Sequence, residues 1–251
     1  MPSQTLREFL EAGPFALAMS SGFFGFFAHA GMLSVLEEAG LRPSRVTGSS
    51  AGALVGATWA SGVDAQGLAD ELLGLERRDF WDPGFGVGLL RGRLFHERLE
   101  RLLRAKSFEA CRVPVAVSVF DIRTRTTHVI ERGSLNVAVR ASCAVPVLFH
   151  PVMIDGRPYF DGGILDRPGL FGMPAGEERV LFHHLTSRSP WRTKLELPRR
   201  EGMITLAIED LPRSGPFKLD AGRRAFHVAR EATLRALDRT IPSTRLLTVA
   251  A

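Results

Sequence analysis

The residues best suited to covalent chemistry form the run Gly48-Ser49-Ser50-Ala51-Gly52. A Gly-x-Ser-x-Gly pattern fits a sharp strand-to-helix turn that lifts the serine hydroxyl clear of the backbone, with flanking glycines relieving the crowding. A helix opening just after the serine would aim free N–H groups and a partial positive charge at any anion forming beside it. The same residues also suit a plain tight turn that needs only small side chains. A second loop, Ser20-Ser21-Gly22-Phe23-Phe24-Gly25, could present backbone N–H groups to an oxyanion. It is a poor phosphate cradle, because Ser20 stands where a dinucleotide fingerprint needs its first glycine and no P-loop lysine follows. The third candidate is the carboxylate of Asp161-Gly162-Gly163, at an extended-to-turn junction. Asp155-Gly156, six residues earlier, shows that Asp-Gly is also ordinary turn chemistry.

These groups need elements to position them. Residues 15–19 read as a short buried strand and 26–39 as a helix closed by Gly40. Residues 45–47 read as a second strand and 53–61 as a second helix, so the chain opens strand–loop–helix–strand–turn–helix, as in a sheet with helical crossovers. Residues 64–108 read as mostly helical with a break at 82–86. Within them 94–103 alternates leucine and arginine as an amphipathic helix, expected to pack on its own sheet rather than to lie in a membrane interface. Strands are expected at 113–120, 126–131, 180–185 and 203–208, with helices at 135–143 and 221–237. Residues 147–154 read as irregular or extended, and the Arg- and Pro-rich stretch 186–202 as an exposed loop.

The chain has 251 residues, 45% hydrophobic and 24% charged, enough for one large core and too apolar for disorder. Its two cysteines, Cys111 and Cys143, are too few for a disulfide framework and favour a reducing, cytoplasmic setting. Neither lies in a metal-like Cys/His cluster, and no metal or cofactor is expected. Residues 12–36 carry no formal charge apart from His29, a length that could span a bilayer. The Ser-Gly break at 20–25 and His29 argue for strand, loop and buried helix instead.

Taken together, four ordered motifs make the sequence resemble the patatin-like phospholipase family over about residues 15–237, within a single domain 1–251. They are the Gly-containing loop leading into His29-Ala30-Gly31-Met32-Leu33, the run Gly48 to Leu54, the segment 138–146, and Tyr159-Phe160-Asp161-Gly162-Gly163-Ile164. The resemblance implies an α/β fold, a three-layer α/β/α sandwich with a mainly parallel central sheet. It also implies a Ser50–Asp161 dyad that hydrolyses fatty-acyl esters of lipids through an acyl-enzyme. Gly22, Phe23 and Ala51 become the candidate oxyanion-hole donors, with Gly25, Gly48, Gly52, Gly162 and Gly163 supporting the motifs. The loop departs from the family pattern: Ser20 and Ser21 replace glycines, and Phe24 holds the position of a cation. That departure motivates an impaired lipid-binding or regulatory protein as the alternative, with acyl transfer as another.

A Ser–Asp–His triad with His183 or His184 is the nearest chemical rival, but both histidines sit in an apolar strand-like run that suggests packing. Phe80, Trp81, Phe85, Leu89 and Leu90 suit an acyl pocket and equally a core. The net charge of +5 is uneven: residues 188–251 hold 13 Lys and Arg against 7 Asp and Glu. Such a basic end suits peripheral contact with an anionic membrane surface, and nucleic acid is not expected, since no recognised motif accompanies the charge.

Overall fold

A computed structural model describes residues 4–186 and 197–251. The centre is a nine-stranded mixed sheet. Its parallel part joins β1 (Ala16–Met19), β2 (Arg45–Ser49), β3 (Val115–Asp121), β7 (Val180–Leu185), β8 (Met203–Glu209) and β9 (Leu246–Ala250) through the pairs β3–β2, β2–β1, β1–β7, β7–β8 and β8–β9. Antiparallel pairs add β4 (Thr126–Ile130) and β6 (Arg157–Asp161) to β3, and β5 (Val152–Ile154) to β6. The whole is an α/β sandwich.

The helices are α1 (Leu6–Glu11), α2 (Phe26–Glu38), α3 (Ala51–Ala60), α4 (Ala65–Leu73), α5 (Arg93–Leu102), α6 (Leu135–Ser142) and α7 (Leu219–Leu237). The large apolar core joins them to one side of the sheet, with Leu17, Met19, Leu181 and Ile204 facing α2, α3 and α7. Alternation along β1 sends Ala16 and Ala18 to the other side, where Phe182, Met203 and Met173 enclose a smaller cluster. Every residue of α2 from Phe27 to Leu36 is buried, which is why its sequence has no polar face. Thus the uncharged stretch 12–36 folds as β1, a loop and α2, and among the described residues no helix is long and apolar enough to cross a membrane.

Several boundaries differ from the sequence reading. Between α4 and α5 the chain is irregular apart from a single 3-10 turn at Arg77–Asp79, because Pro83 and the glycines at 84, 86, 88 and 92 oppose helix. Residues 152–161 form a hairpin turned by Asp155 and Gly156, both at positive φ. The short α1 and β9 lack a long periodic pattern, yet Leu6, Leu10, Leu247 and Val249 are buried, extending the packed region beyond 15–237 at both ends. Of the expected loop at 186–202, residues 187–196 lie outside the described residues; 197–200 are irregular.

Candidate active site

The edge of β3 explains how residues 111 positions apart meet. Strand β2 pairs with β3 as far as Ser49 opposite Ser118, and β4 covers the other edge. From the next position onward β6 takes over the edge that β2 has left, with Asp161 opposite Val119. Ser50 and Asp161 are therefore the residues at the junction, and Ser50 Oγ donates to Asp161 Oδ2 at 2.6 Å.

Ser50 has φ 50° and ψ −115°, a strained conformation at the N-terminal end of α3. Its neighbours must be small. A Cβ on Gly52 would stand 2.1 Å from the Met19 carbonyl oxygen, and one on Gly48 would stand 2.5 Å from the Gly52 carbonyl carbon. Two further contacts hold the turn: the Ser50 N–H donates to Ser142 Oγ at 2.8 Å, and Ser142 Oγ donates to the Ser118 carbonyl at 2.7 Å. Cys143 Sγ also approaches the Ser50 carbonyl at 3.3 Å. Burial pushes the Cys143 thiol well above its ordinary value, so it stays protonated beside the serine.

Asp161 is fixed at three points. Its N–H donates to the Ala144 carbonyl at 2.9 Å, Oδ1 accepts the Gly163 N–H at 2.7 Å, and Oδ2 accepts from Ser50. Burial raises its carboxyl to about 6, against the lowering effect of the hydrogen bonds from Ser50 and Gly163. Such a value leaves it ionised near neutrality yet basic enough to take a proton. Gly162 and Gly163 are small because the carboxylate turn is pressed on both sides: added Cβ atoms would lie 2.0 Å from the Ser118 carbonyl oxygen and 2.5 Å from Ser21 Oγ.

The loop 20–25 lies beside this pair. Ser20 Oγ accepts the Leu185 N–H at 2.9 Å, and the Ser21 N–H donates to the Arg167 carbonyl at 2.8 Å. Both serines therefore fit the loop without left-handed backbone; only Phe24, at φ 54°, adopts it. Among the described residues the N–H groups of Gly22, Phe23 and Ala51 have no intramolecular acceptor. Phe24 turns its ring toward Phe23, Phe26 and Phe80, at centroid distances of 5.0, 5.3 and 5.6 Å.

From Ser50 an apolar cavity of about 120 Å³ runs into the helical layer. Phe80, Trp81 and Leu90 line it as the sequence suggests; Phe85 and Leu89 do not, being exposed on the bend that precedes Leu90. Phe24, Leu54, Phe95, Leu99 and Phe149 complete much of the wall.

The histidines serve the loop from behind. His183 is buried against His29, with Nδ1 to Nδ1 at 2.8 Å, and His29 Nε2 meets the Ser20 carbonyl at 2.8 Å. A carbonyl only accepts, so His29 carries its proton on Nε2 and accepts at Nδ1 from His183. Burial lowers His29 and His184 to about 4 and His183 well below its ordinary value, so all three are neutral near pH 7. No histidine stands between Ser50 and Asp161, which bond directly. Sequence reasoning missed Asp166, a buried carboxylate that accepts from Ser118 Oγ and the N–H groups of Gly169, Leu170 and Phe171, all within 3.1 Å. Its place at the head of Asp166-Arg167-Pro168-Gly169, a turn sequence, was the available signal. Among the described residues no group of three His, Cys, Asp or Glu side chains could hold a metal ion.

A family model described as patatin-like phospholipase matches residues 17–171, from β1 through the Ser50 turn and past Asp161. The chain belongs to the patatin-like phospholipase family. Among curated proteins, an uncharacterized NTE family protein of Mycobacterium tuberculosis is 33% identical over 159 residues, covering 60% of this chain and 43% of its own. The uncharacterized protein YqhO of Bacillus subtilis is 30% identical over 180 residues, covering 58% of this chain and 62% of its own. The neuropathy target esterase sws of Drosophila sechellia is 26% identical over 174 residues, 65% of this chain and 12% of that protein. The chain thus spans less than half the length of the mycobacterial relative. Among solved structures, VipD from Legionella pneumophila superposes with a TM-score of 0.64 at 16% identity, covering 90% of this chain and 66% of that one, which shows the shared fold. The residues matched by the patatin-like phospholipase model include the loop 20–25, the Gly48–Gly52 turn and Asp161.

Proposed function

We propose that this protein is a serine lipid acyl hydrolase working through a Ser50–Asp161 dyad. The observation that carries the reading is the 2.6 Å hydrogen bond between Ser50 Oγ and Asp161 Oδ2 at the head of an apolar cavity. Ser50 Oγ bonds to the acyl carbonyl carbon while its proton passes to Asp161. The carbonyl oxygen becomes an oxyanion facing the N–H groups of Gly22, Phe23 and Ala51. As the intermediate collapses, the ester C–O bond breaks and Asp161 returns the proton to the departing alcohol oxygen. Water then repeats the sequence on the acyl-enzyme, with Asp161 as base, and releases the fatty acid. The acyl chain lies in the cavity, whose wall is mainly aromatic and aliphatic.

Contact with a lipid surface is part of this proposal, at a place the sequence did not suggest. Much of the C-terminal basic surplus is occupied internally: Arg230 grips Glu38 at 2.6 and 2.7 Å, while Arg223, Arg235 and Arg239 donate to backbone carbonyls. Exposed apolar side chains instead border the cavity. They include Phe23, Phe217 packed edge-on to Trp81, and Phe85, Val87 and Leu89, the last donating its N–H to the Val147 carbonyl at 2.9 Å. Val147 is exposed and holds φ 70°, a conformation β-branched residues rarely adopt. The hydrolase reading is tested by intact-mass labelling with a fluorophosphonate. One adduct on the wild-type protein and none on Ser50→Ala supports it; no adduct on the wild type in buffer or detergent refutes it.

A further inference from the structure

Apart from Glu71 and Arg98, every residue lining the cavity is uncharged. These two, with Leu102, also line a separate surface depression together with Val63, Gly67, Arg101 and Arg104. The three shared residues are therefore the partition between an apolar channel that begins at Ser50 and a basic hollow open to solvent. Arg98 is held in that partition by three contacts. Its Nε meets Glu71 Oε1 at 2.6 Å, Nη1 meets Asp79 Oδ2 at 2.9 Å, and Nη2 donates to the Glu71 carbonyl at 3.4 Å.

We propose that the Glu71–Arg98–Asp79 cluster, backed by Leu102, is the stop that sets how long an acyl chain the channel accepts. A chain terminus reaching this wall gains nothing further, since the next contact would strip water from ion-paired groups without replacing it. The amphipathic α5 supplies both surfaces of the wall: Leu99 and Leu102 face the channel, and Arg98 closes its end from the next position along. Pinning from α4 through Glu71 and from the 3-10 turn through Asp79 makes the depth a fixed property of the fold. This inference rests on the reading that the cavity receives the acyl group presented to Ser50.

The test uses binding, so that it does not depend on turnover. Free fatty acids of about 6 to 18 carbons are titrated against a fluorescent fatty acid on Ser50→Ala, alone and combined with Arg98→Ala or Leu102→Phe. Affinity should rise roughly fourfold with each methylene until the chain meets the wall, then level off. Arg98→Ala should move the break to longer chains by two carbons or more, and Leu102→Phe should move it to shorter ones. A break that stays in place in both variants overturns the stop, as does the absence of any chain-length dependence. Thermal melts identify a variant that does not fold; if Arg98→Ala fails, the shift in Leu102→Phe decides alone. A wild-type protein that shows the break yet takes no fluorophosphonate would refute the hydrolase reading while leaving the stop standing. A protein labelled at Ser50 whose break ignores both substitutions would refute the stop only.

Discussion

Replacing Asp161 by Asn should abolish turnover and at the same time stabilise the fold, by an amount that depends on pH. Burial raises the Asp161 carboxyl from 3.8 to about 6, so the folded state holds its proton more tightly than the unfolded chain. Stability is therefore lost as pH rises from about 4 through 6, and the loss is complete above the folded value. A difference of about two pH units corresponds to about 3 kcal/mol, since each unit is worth about 1.4 kcal/mol. Asn keeps an oxygen for the Gly163 N–H and never ionises, so it escapes that loss. Urea unfolding of both proteins should show Asp161→Asn more stable by up to about 3 kcal/mol at pH 8, a gain that shrinks toward pH 4. For a chain of this size that is roughly 6–12 °C in Tm at the higher pH. A gain that is absent, or that is the same at pH 4.5 and pH 8, would refute the argument that an ionised Asp161 is buried at a cost to the fold.

The remaining predictions concern the same site and its rim. With Asp161 as the base, kcat/KM for a soluble short-chain ester should rise about tenfold per pH unit below 6 and flatten above 7; a profile falling with pH in that range would exclude it. Ser142→Ala leaves the Ser50 N–H and the Ser118 carbonyl without their bridge, so it should cost about 1–3 kcal/mol in urea unfolding and lower kcat more than it raises KM. Retained stability would mean that the bridge is not needed. Phe85→Ser with Leu89→Ser, both outside the cavity wall, should weaken cosedimentation with phosphatidylglycerol vesicles by tenfold or more while short-chain ester hydrolysis continues. Unchanged sedimentation would show that the exposed rim does not meet lipid.

How much of this was legible depended on whether the signal was local. The Gly48–Gly52 turn could be read because each glycine answers a contact within a few residues or with the adjoining strand: Gly48 meets Gly52, and Gly52 meets Met19. Strand β1 and helix α2 were equally plain, their apolar runs being broken by Ser and Gly at 20–25. The pairing of β6 with β3 was not, because it is an edge exchange between strands far apart in sequence. Without it nothing local distinguishes Asp161-Gly162 from Asp155-Gly156, whose aspartate only turns a hairpin. Ser142 and Asp166 escaped notice for the same reason: their partners, Ser50 and Ser118, lie 92 and 48 residues away. Phe85 and Leu89 misled in the opposite sense, since hydrophobicity alone does not tell a lining residue from one on the rim.

Under the proposed mechanism the loop 20–25 holds the oxyanion through backbone N–H groups, since its own side chains include no cation. Phe24 sits at φ 54° and packs its ring among Phe23, Phe26 and Phe80, so its side chain lines the apolar cavity and adds no charge beside Ser50. The remaining stabilisation comes from N–H groups whose directions must be fixed by something other than a charged side chain. The structure supplies that from beneath: His183 donates to His29, and His29 donates to the Ser20 carbonyl, while Ser20 Oγ binds the Leu185 N–H and Ser214 Oγ binds the Phe24 carbonyl. Two neutral histidines and two serine hydroxyls thus hold the loop by fixed geometry. Because burial lowers His29 to about 4 and holds His183 well below its ordinary value, the pair stays neutral in a single tautomer across the range in which Asp161 ionises. The loop and the base therefore titrate separately, and a hydrolase built this way should respond to pH through its carboxylate alone.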